Sequence, residues 1–364
     1  MPIDAKTNLL LPPTTGQARA KAKFSWTSDH GILRILGIVG IVFVFALPLI
    51  NSGNYTIQLG TQALIYILLA LGLNVVVGYA GLLDLGYVAF FAVGAYTSGI
   101  LTTRLGWPMW ATIPAVILMC VIAGIVIGGP TLRLRSDYLA IVTLGFGEII
   151  RIVAQNWEPV TGGPSGIFGI PSWSFGGFTL NKIQLYYFCA VVVLLLGCFG
   201  IPRLAKGKLG RAWKAVRDDE DAAEAMGINT YTTKITAYII GAVWAGLAGQ
   251  LQASFISVVT PSSFVFLQSA LVLMAVVIGG MGSVPGVILG AIIITLGPEL
   301  LRDVWENRYL AFGILLLVVM LARPKGLWPS TSVLPWSRDK RDHDAKVETP
   351  AKSHDYDPQE EVPS

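Results

Sequence analysis

The sequence predicts an all-α integral membrane protein, a polytopic bundle of about ten transmembrane helices. Three observations carry this. Charged residues make up 13% of the 364 positions, against about a quarter in soluble proteins, while 54% are hydrophobic and the mean hydropathy is +0.64. A soluble globule of that length has too little interior to hide so much apolar surface. Apolar runs of about 20 residues, the length that crosses a bilayer, recur along the chain. Finally, the basic residues fall almost entirely on one side once those runs are threaded through a membrane.

Taken in order, residues 1–31 form a polar tail. A first run at 35–50 is short but extended by Ile32 and Leu33. Full-length candidates follow at 57–80, 86–102, 109–129, 138–157, 183–201, 235–252 and 264–282, and two shorter ones at 286–301 and 309–322. The hydrophobic, membrane-spanning region thus extends over 32–328, interrupted by a polar segment at 202–233. The tail at 329–364 is mixed in charge and poor in apolar residues, which predicts disorder. Lys21 and Lys23 ahead of an apolar run imitate a signal peptide, but Pro48 and Asn51 are not followed by a small-x-small cleavage site, so an uncleaved first helix is expected.

Orientation follows from Lys and Arg, which favour the cytoplasmic side. With both termini cytoplasmic and ten spans, the inside holds Lys6, Arg19, Lys21, Lys23, Arg133, Arg135, the basic residues from Arg203 to Arg217 and the cluster from Arg323 to Lys352. The outside holds only Arg104, Lys182, Arg302 and Arg308. Tryptophans agree, with Trp244 alone falling mid-span and the others near expected interfaces.

Several functions are excluded at this point. Cys120, Cys189 and Cys198 lie in apolar runs without a CxxC pair, so neither a disulfide framework nor a zinc site is indicated. His30, His343 and His354 all lie in the polar tails, leaving no histidine for a membrane metal centre. No metal site and no catalytic residue are expected. The net charge of +4 is sorted by membrane side, which does not point to nucleic acid.

The spans are glycine-rich. Gly124 and Gly128 form one GxxxG and Gly282, Gly286 and Gly290 two more, a spacing that lets helix backbones approach closely in lipid. Two glycine-interrupted stretches stand apart: Gly78 and Gly81 before Asp84 and Gly86, and Gly279, Gly280 and Gly282 before Pro285 and Gly286. Their corresponding positions hint at an internal repeat, with spans one to four matching seven to ten, and such interruptions point towards a transport pathway. Glu148 and Arg151, three apart on one helix face, can pair. Arg151 lies near enough to the outer end to snorkel, which favours a structural pair. The spans carry no string of Asp, Glu or His for a proton relay, which disfavours a proton-coupled carrier.

The segment 202–233 reads as a helix from Arg211 to Gly227. Ala, Glu, Met and Lys favour helix and Gly227 is placed to end it. Its basic residues precede its acids, so a single helix here opposes its own dipole. That order suggests a surface made for contact with a partner.

Asp221, Ala222 and Ala223, followed after three residues by Gly227, resemble the EAA-type loop of ABC importer permeases, with Asp replacing the usual Glu. Three further stretches resemble the branched-chain amino acid permeases: 72–86 (GLNVVVGYAGLLDLG), 132–151 (LRLRSDYLAIVTLGFGEIIR) and the external loop 161–171 (TGGPSGIFGIP). The chain from about residue 58 to 328 is identified on these motifs with the LivM-type permease subunits, the urea-type ABC permeases being the nearest rival. The resemblance implies a heteromeric complex in the bacterial inner membrane. Its members would be a homologous LivH-type permease, two cytoplasmic ABC ATPases and a periplasmic substrate-binding protein. It also implies a coupling helix carrying Arg211, Lys214, Asp221, Ala222, Ala223 and Gly227. Candidate pathway residues are Gly78, Gly81, Asp84, Glu148, Thr161, Gly162, Gly163 and Gly282. No cofactor is expected in this chain. It lacks a GxxxxGK[ST] phosphate loop, so ATP and Mg belong to the partners. The competing readings are a urea or amide permease and a self-contained secondary carrier.

Overall fold

The computed structural model describes residues 54–132, 136–175, 178–179, 181–193, 200–300, 313–314, 316–317, 321 and 326–328. The expected span at 35–50, most of that at 309–322 and both polar tails lie outside the described residues. So do Arg133, Arg135 and the histidines.

The helices are α1 (Asn54–Leu73), α2 (Val88–Arg104), α3 (Ile113–Thr131), α4 (Ser136–Asn156), a single turn α5 (Glu158–Thr161), α6 (Lys182–Val193), α7 (Ile201–Lys206), α8 (Lys208–Asp218), α9 (Glu220–Ala225), α10 (Thr230–Ile256), α11 (Phe266–Gly279) and α12 (Val284–Leu300). Among the described residues, five stretches are long and apolar enough to cross a membrane: Tyr55–Tyr79, Met109–Thr131, Tyr138–Asn156, Thr230–Ile256 and Pro261–Gly279. The protein is an all-α polytopic membrane protein, and its helices coincide with the expected spans to within a few residues at most ends. The largest departure is α10, which begins at Thr230 inside the polar segment because the Asn229 side chain caps it, accepting the Thr232 N–H at 3.0 Å.

Strands are confined to two-residue pieces, β1 (Ile167–Phe168), β2 (Ser174–Phe175), β3 (Phe178–Thr179) and β4 (Val258–Val259). β1 pairs antiparallel with β4, placing Ile167 opposite Val259 and tying the loop after α5 to the end of α10. β2 pairs with β3.

The centre of the bundle is α10, which packs on α1, α2 and α3. Lipid is as apolar as leucine, so close van der Waals contact and not hydrophobic burial must hold these helices together. Small residues supply that contact. A Cβ on Gly94 would lie 2.1 Å from the Gly246 carbonyl oxygen, and one on Gly249 2.1 Å from that of Phe91, so α2 and α10 meet backbone to backbone. The expected GxxxG faces behave in the same way. Gly124 and Gly128 on α3 receive Ile239 and Tyr238 of α10, and Gly286 and Gly290 on α12 lie against Gly279 and Ala275 of α11.

Between α6 and α10 the structure corrects one expectation. The polar segment is three helices and not one, with breaks at Gly207 and Asp219. Asp219 is extended, with φ −160° and ψ 112°, and its carboxylate accepts the Ala222 N–H at 2.9 Å as the N-cap of α9. The charge order that opposed one long dipole now suits two short ones. Arg217 sits in the last turn of α8, and Glu220 and Asp221 sit in the first turn of α9.

Candidate functional site

At one end of the bundle α8 and α9 pack on each other and on α10, forming a projection whose base is fixed. The fully buried Trp213 donates its indole N–H to the Thr233 carbonyl at 3.0 Å and to the Thr236 hydroxyl at 3.2 Å, clamping α8 to the start of α10. Glu220 pairs with the buried Lys234 of α10, which ties down α9 as well. Beyond these anchors Asp221, Ala222, Glu224, Ala225 and Met226 are exposed. Met226 is 83% exposed, an apolar side chain at the tip of a polar projection. Ala223 is buried beneath them. Gly227 closes α9 in the left-handed region at φ 83°. Here the Ile228 N–H reaches the Ala223 carbonyl at 3.1 Å and the Gly227 N–H that of Glu224 at 2.9 Å, a Schellman ending. Arg211 is exposed and bonds the Lys206 carbonyl at 3.1 Å, so it braces α7 against α8. Lys214 instead turns inward, its ammonium 5.9 Å from the centre of the Tyr79 ring.

The two glycine interruptions, expected at matching places in the sequence, meet in space. After α1 the backbone runs through a buried π-helical turn, Asn74–Tyr79. The Asn74 side chain accepts the Gly282 N–H at 2.8 Å. A Cβ on Gly78 would lie 2.0 Å from the Asn74 amide oxygen and 2.6 Å from the Gly282 nitrogen. Gly81, at φ 72°, receives the stem of Arg217, whose guanidinium donates to the Gly78 carbonyl. The sequence did not single out Arg217 or Asn74. Arg217 lies 139 positions from Gly78 and Asn74 lies 208 from Gly282, so only tertiary structure pairs them.

The remaining candidates lie elsewhere. Asp84 is fully buried, and one carboxylate oxygen accepts the Gly86 N–H at 2.9 Å. Among the described residues the other oxygen has no direct hydrogen-bond partner, although the Thr143 and Tyr238 hydroxyls lie beside the group. Asp84 therefore shapes the turn into α2 from inside the core. Glu148 is on α4, where Arg151 donates its Nε–H to both carboxylate oxygens at 2.9 and 3.0 Å and a further N–H to Gln155 at 3.2 Å. The expected pair is present, and it is only partly covered, with side-chain exposures of 43% for Glu148 and 24% for Arg151. Beside it is a cavity of about 200 Å³ lined mainly by apolar groups, among them Leu85, Val88, Leu144, Phe264 and Phe266, with Glu148 at its edge. Thr161, Gly162 and Gly163 form a tight turn after α5, where the Thr161 hydroxyl bonds the Ala154 and Trp157 carbonyls. Among the described residues no cluster of His, Cys, Asp and Glu has the makings of a metal site.

A family model described as branched-chain amino acid transport system / permease component matches residues 55–322. The chain belongs to that permease family. It is 43% identical over 314 residues to the high-affinity branched-chain amino acid transport system permease protein LivM of Escherichia coli, a match covering 80% of this chain and 74% of the relative. It is 28% identical over 297 residues to the permease protein BraD of Pseudomonas aeruginosa, covering 72% and 91%. To the E. coli permease protein LivH it is 25% identical over 285 residues, covering 72% and 90%. No solved structure matches the chain. Among permeases of this family the chain is of the LivM type, and the match spans every described span from α1 to α12.

Proposed function

We propose that this permease is the transmembrane subunit of an ATP-driven ABC importer that moves branched-chain or related hydrophobic amino acids delivered by a periplasmic binding protein. The observation that carries the reading is the α8–α9 projection. Its base is bonded to α10 through Trp213 and Lys234, while its tip presents Asp221, Ala222 and Met226 outward. A rigidly mounted helix with an exposed apolar tip suits docking into a groove of another subunit. With no phosphate loop in the chain, that subunit is the one that binds ATP, and this chain is not itself an enzyme. The projection then marks the cytoplasmic side of a bacterial inner membrane, with both termini on that side; Arg211, Asp221, Ala222 and Gly227 lie on the coupling surface, and Lys214 and Ala223 support it from beneath.

The second partner is a homologous permease. An ion pair left half-exposed on a membrane helix is costly in lipid, and α4 is the least buried of the long spans. The partner permease covers that face of α4. Substrate passes along the seam, beside Glu148 and the apolar cavity, whose volume suits a branched aliphatic side chain.

Gentle detergent extraction of the tagged protein from its host tests this. The expected result is recovery of a second permease and two ATPases, with both the ATPases and amino acid uptake lost on deletion of 221–227. Uptake by the purified chain alone in vesicles without ATP would replace this reading with a self-contained carrier.

A further inference from the structure

The junction between the α8–α9 projection and the membrane helices is more specific than docking requires. In a regular α-helix the Gly78 carbonyl would accept the amide four residues on, which is that of Leu82. The π-helical turn diverts that amide, so that the Leu82 N–H bonds Val76 at 3.1 Å and the Ala80 N–H bonds Val75 at 3.2 Å. Gly78 therefore ends the turn with a carbonyl that the backbone leaves for a side chain to satisfy. Arg217 satisfies it from α8, with its stem laid on Gly81. Three residues earlier on the same helix, Lys214 stands over Tyr79 of the same turn. On the far side of the turn Asn74 holds Gly282, whose φ of 80° places it in the loop between α11 and α12. The last turn of α11, just before that loop, is bonded in turn to 326–328: the Leu327 N–H reaches the Ile278 carbonyl at 2.7 Å and the Trp328 N–H that of Gly279 at 3.0 Å. Among the described residues the buried Asn74 amide nitrogen has no hydrogen-bond partner. The turn is thus gripped from α8 on one side and grips the α11–α12 loop on the other, with a spare donor at its first residue.

We propose that Arg217 and Asn74 are positioning residues that carry movement of the α8–α9 projection into both glycine interruptions at once. Arg217 drives the end of α1 through the Gly78 carbonyl, and Asn74 passes the displacement to the α11–α12 loop through Gly282. The glycines serve the device in two ways. They let the three backbones come within van der Waals contact, and at Gly81, Gly280 and Gly282 they adopt positive φ at no steric cost. A shift of the projection, which Trp213 and Lys234 hold to α10, therefore carries α1, α11 and α12 along with α10 as one body.

This inference rests on the permease reading, and the experiment separates the two. The complete transporter is purified and placed in vesicles with binding protein and ATP, and uptake is compared for wild type, R217A, R217K, N74L and the R217A/N74L pair. If wild type brings no ATPase with it, the permease reading fails before any variant is made. With that reading intact, R217A and N74L each retain stoichiometric ATPase but lose uptake by about tenfold, in keeping with a lost hydrogen bond to a charged or buried group. R217K, which keeps a cationic N–H donor for the Gly78 carbonyl, recovers most of the loss. The double variant is no worse than either single one, because both act on one connection. Uptake within twofold of wild type in R217A overturns the proposal. So does loss of bound ATPase in R217A, which would make Arg217 a docking contact, or defects that multiply in the double variant.

Discussion

Individual residues in this permease are fixed either by conformation or by a hydrogen bond, and the two kinds respond differently to substitution. Gly227 is of the first kind. Among the described residues nothing lies within 4 Å of a Cβ placed there, yet its φ of 83° is one that L-residues avoid. Gly227→Ala is expected to cost about 1 kcal/mol at the end of α9, read as roughly fivefold faster hydrogen exchange at the Ile228 amide that closes the Schellman motif. Asp84 is fixed by a bond. Asp84→Ala leaves the buried Gly86 N–H without its acceptor and is expected to lower stability by about 2 kcal/mol, whereas Asp84→Asn keeps an acceptor and holds its Tm. Thermal unfolding of the detergent-solubilised chain compares the two. Sequence reasoning marked both positions. It missed Arg217 because an arginine in a polar segment carries no sign of a carbonyl 139 positions away.

Elements are held by where their glycines lie. Gly94→Ala puts a methyl 2.1 Å from the Gly246 carbonyl oxygen and forces α2 from α10. A loss of about 2 kcal/mol is expected. Gly145→Ala on α4 meets open space, and the gain in helix propensity is about 1 kcal/mol. One substitution thus lowers the Tm of the isolated chain and the other raises it. The length of the apolar runs made α1–α4 and α10–α12 legible, and GxxxG named the faces on which α3 and α12 pack. The division of 202–233 was not legible in the same way. Asp218 and Asp219 are weak helix formers but sit in a run of residues with no glycine or proline, and the break there is made by the Ala222 N–H donating to the Asp219 carboxylate. That break also accounts for a charge order that had no explanation in a single helix.

For the whole molecule, the two sparsely covered spans differ in chemistry. The exposed face of α3 is apolar throughout, with Ile117, Leu118, Ile122 and Val126, and lipid suffices to cover it. On α4 the exposed Ile149, Ile152 and Val153 neighbour the Glu148–Arg151 pair. A cysteine at Ile152 is expected to react with a lipid-soluble maleimide in the isolated chain and to be protected in the assembled transporter, while one at Leu118 reacts in both. Equal reaction at Ile152 in the two states would leave α4 facing lipid and remove the case for a seam along it. The π-helical turn has a further consequence, for inheritance. A π-turn houses one residue more than the α-turn it interrupts. Loss of one codon among Val75, Val76 and Val77 would therefore leave a continuous, regular helix, well bonded and well buried. The flanks would keep their faces, but the turn that diverts the Leu82 and Ala80 amides would be gone, and with it the carbonyl that Gly78 offers to Arg217. Selection for a folded chain alone would not remove that deletion, and its absence from a working lineage would record a demand for motion.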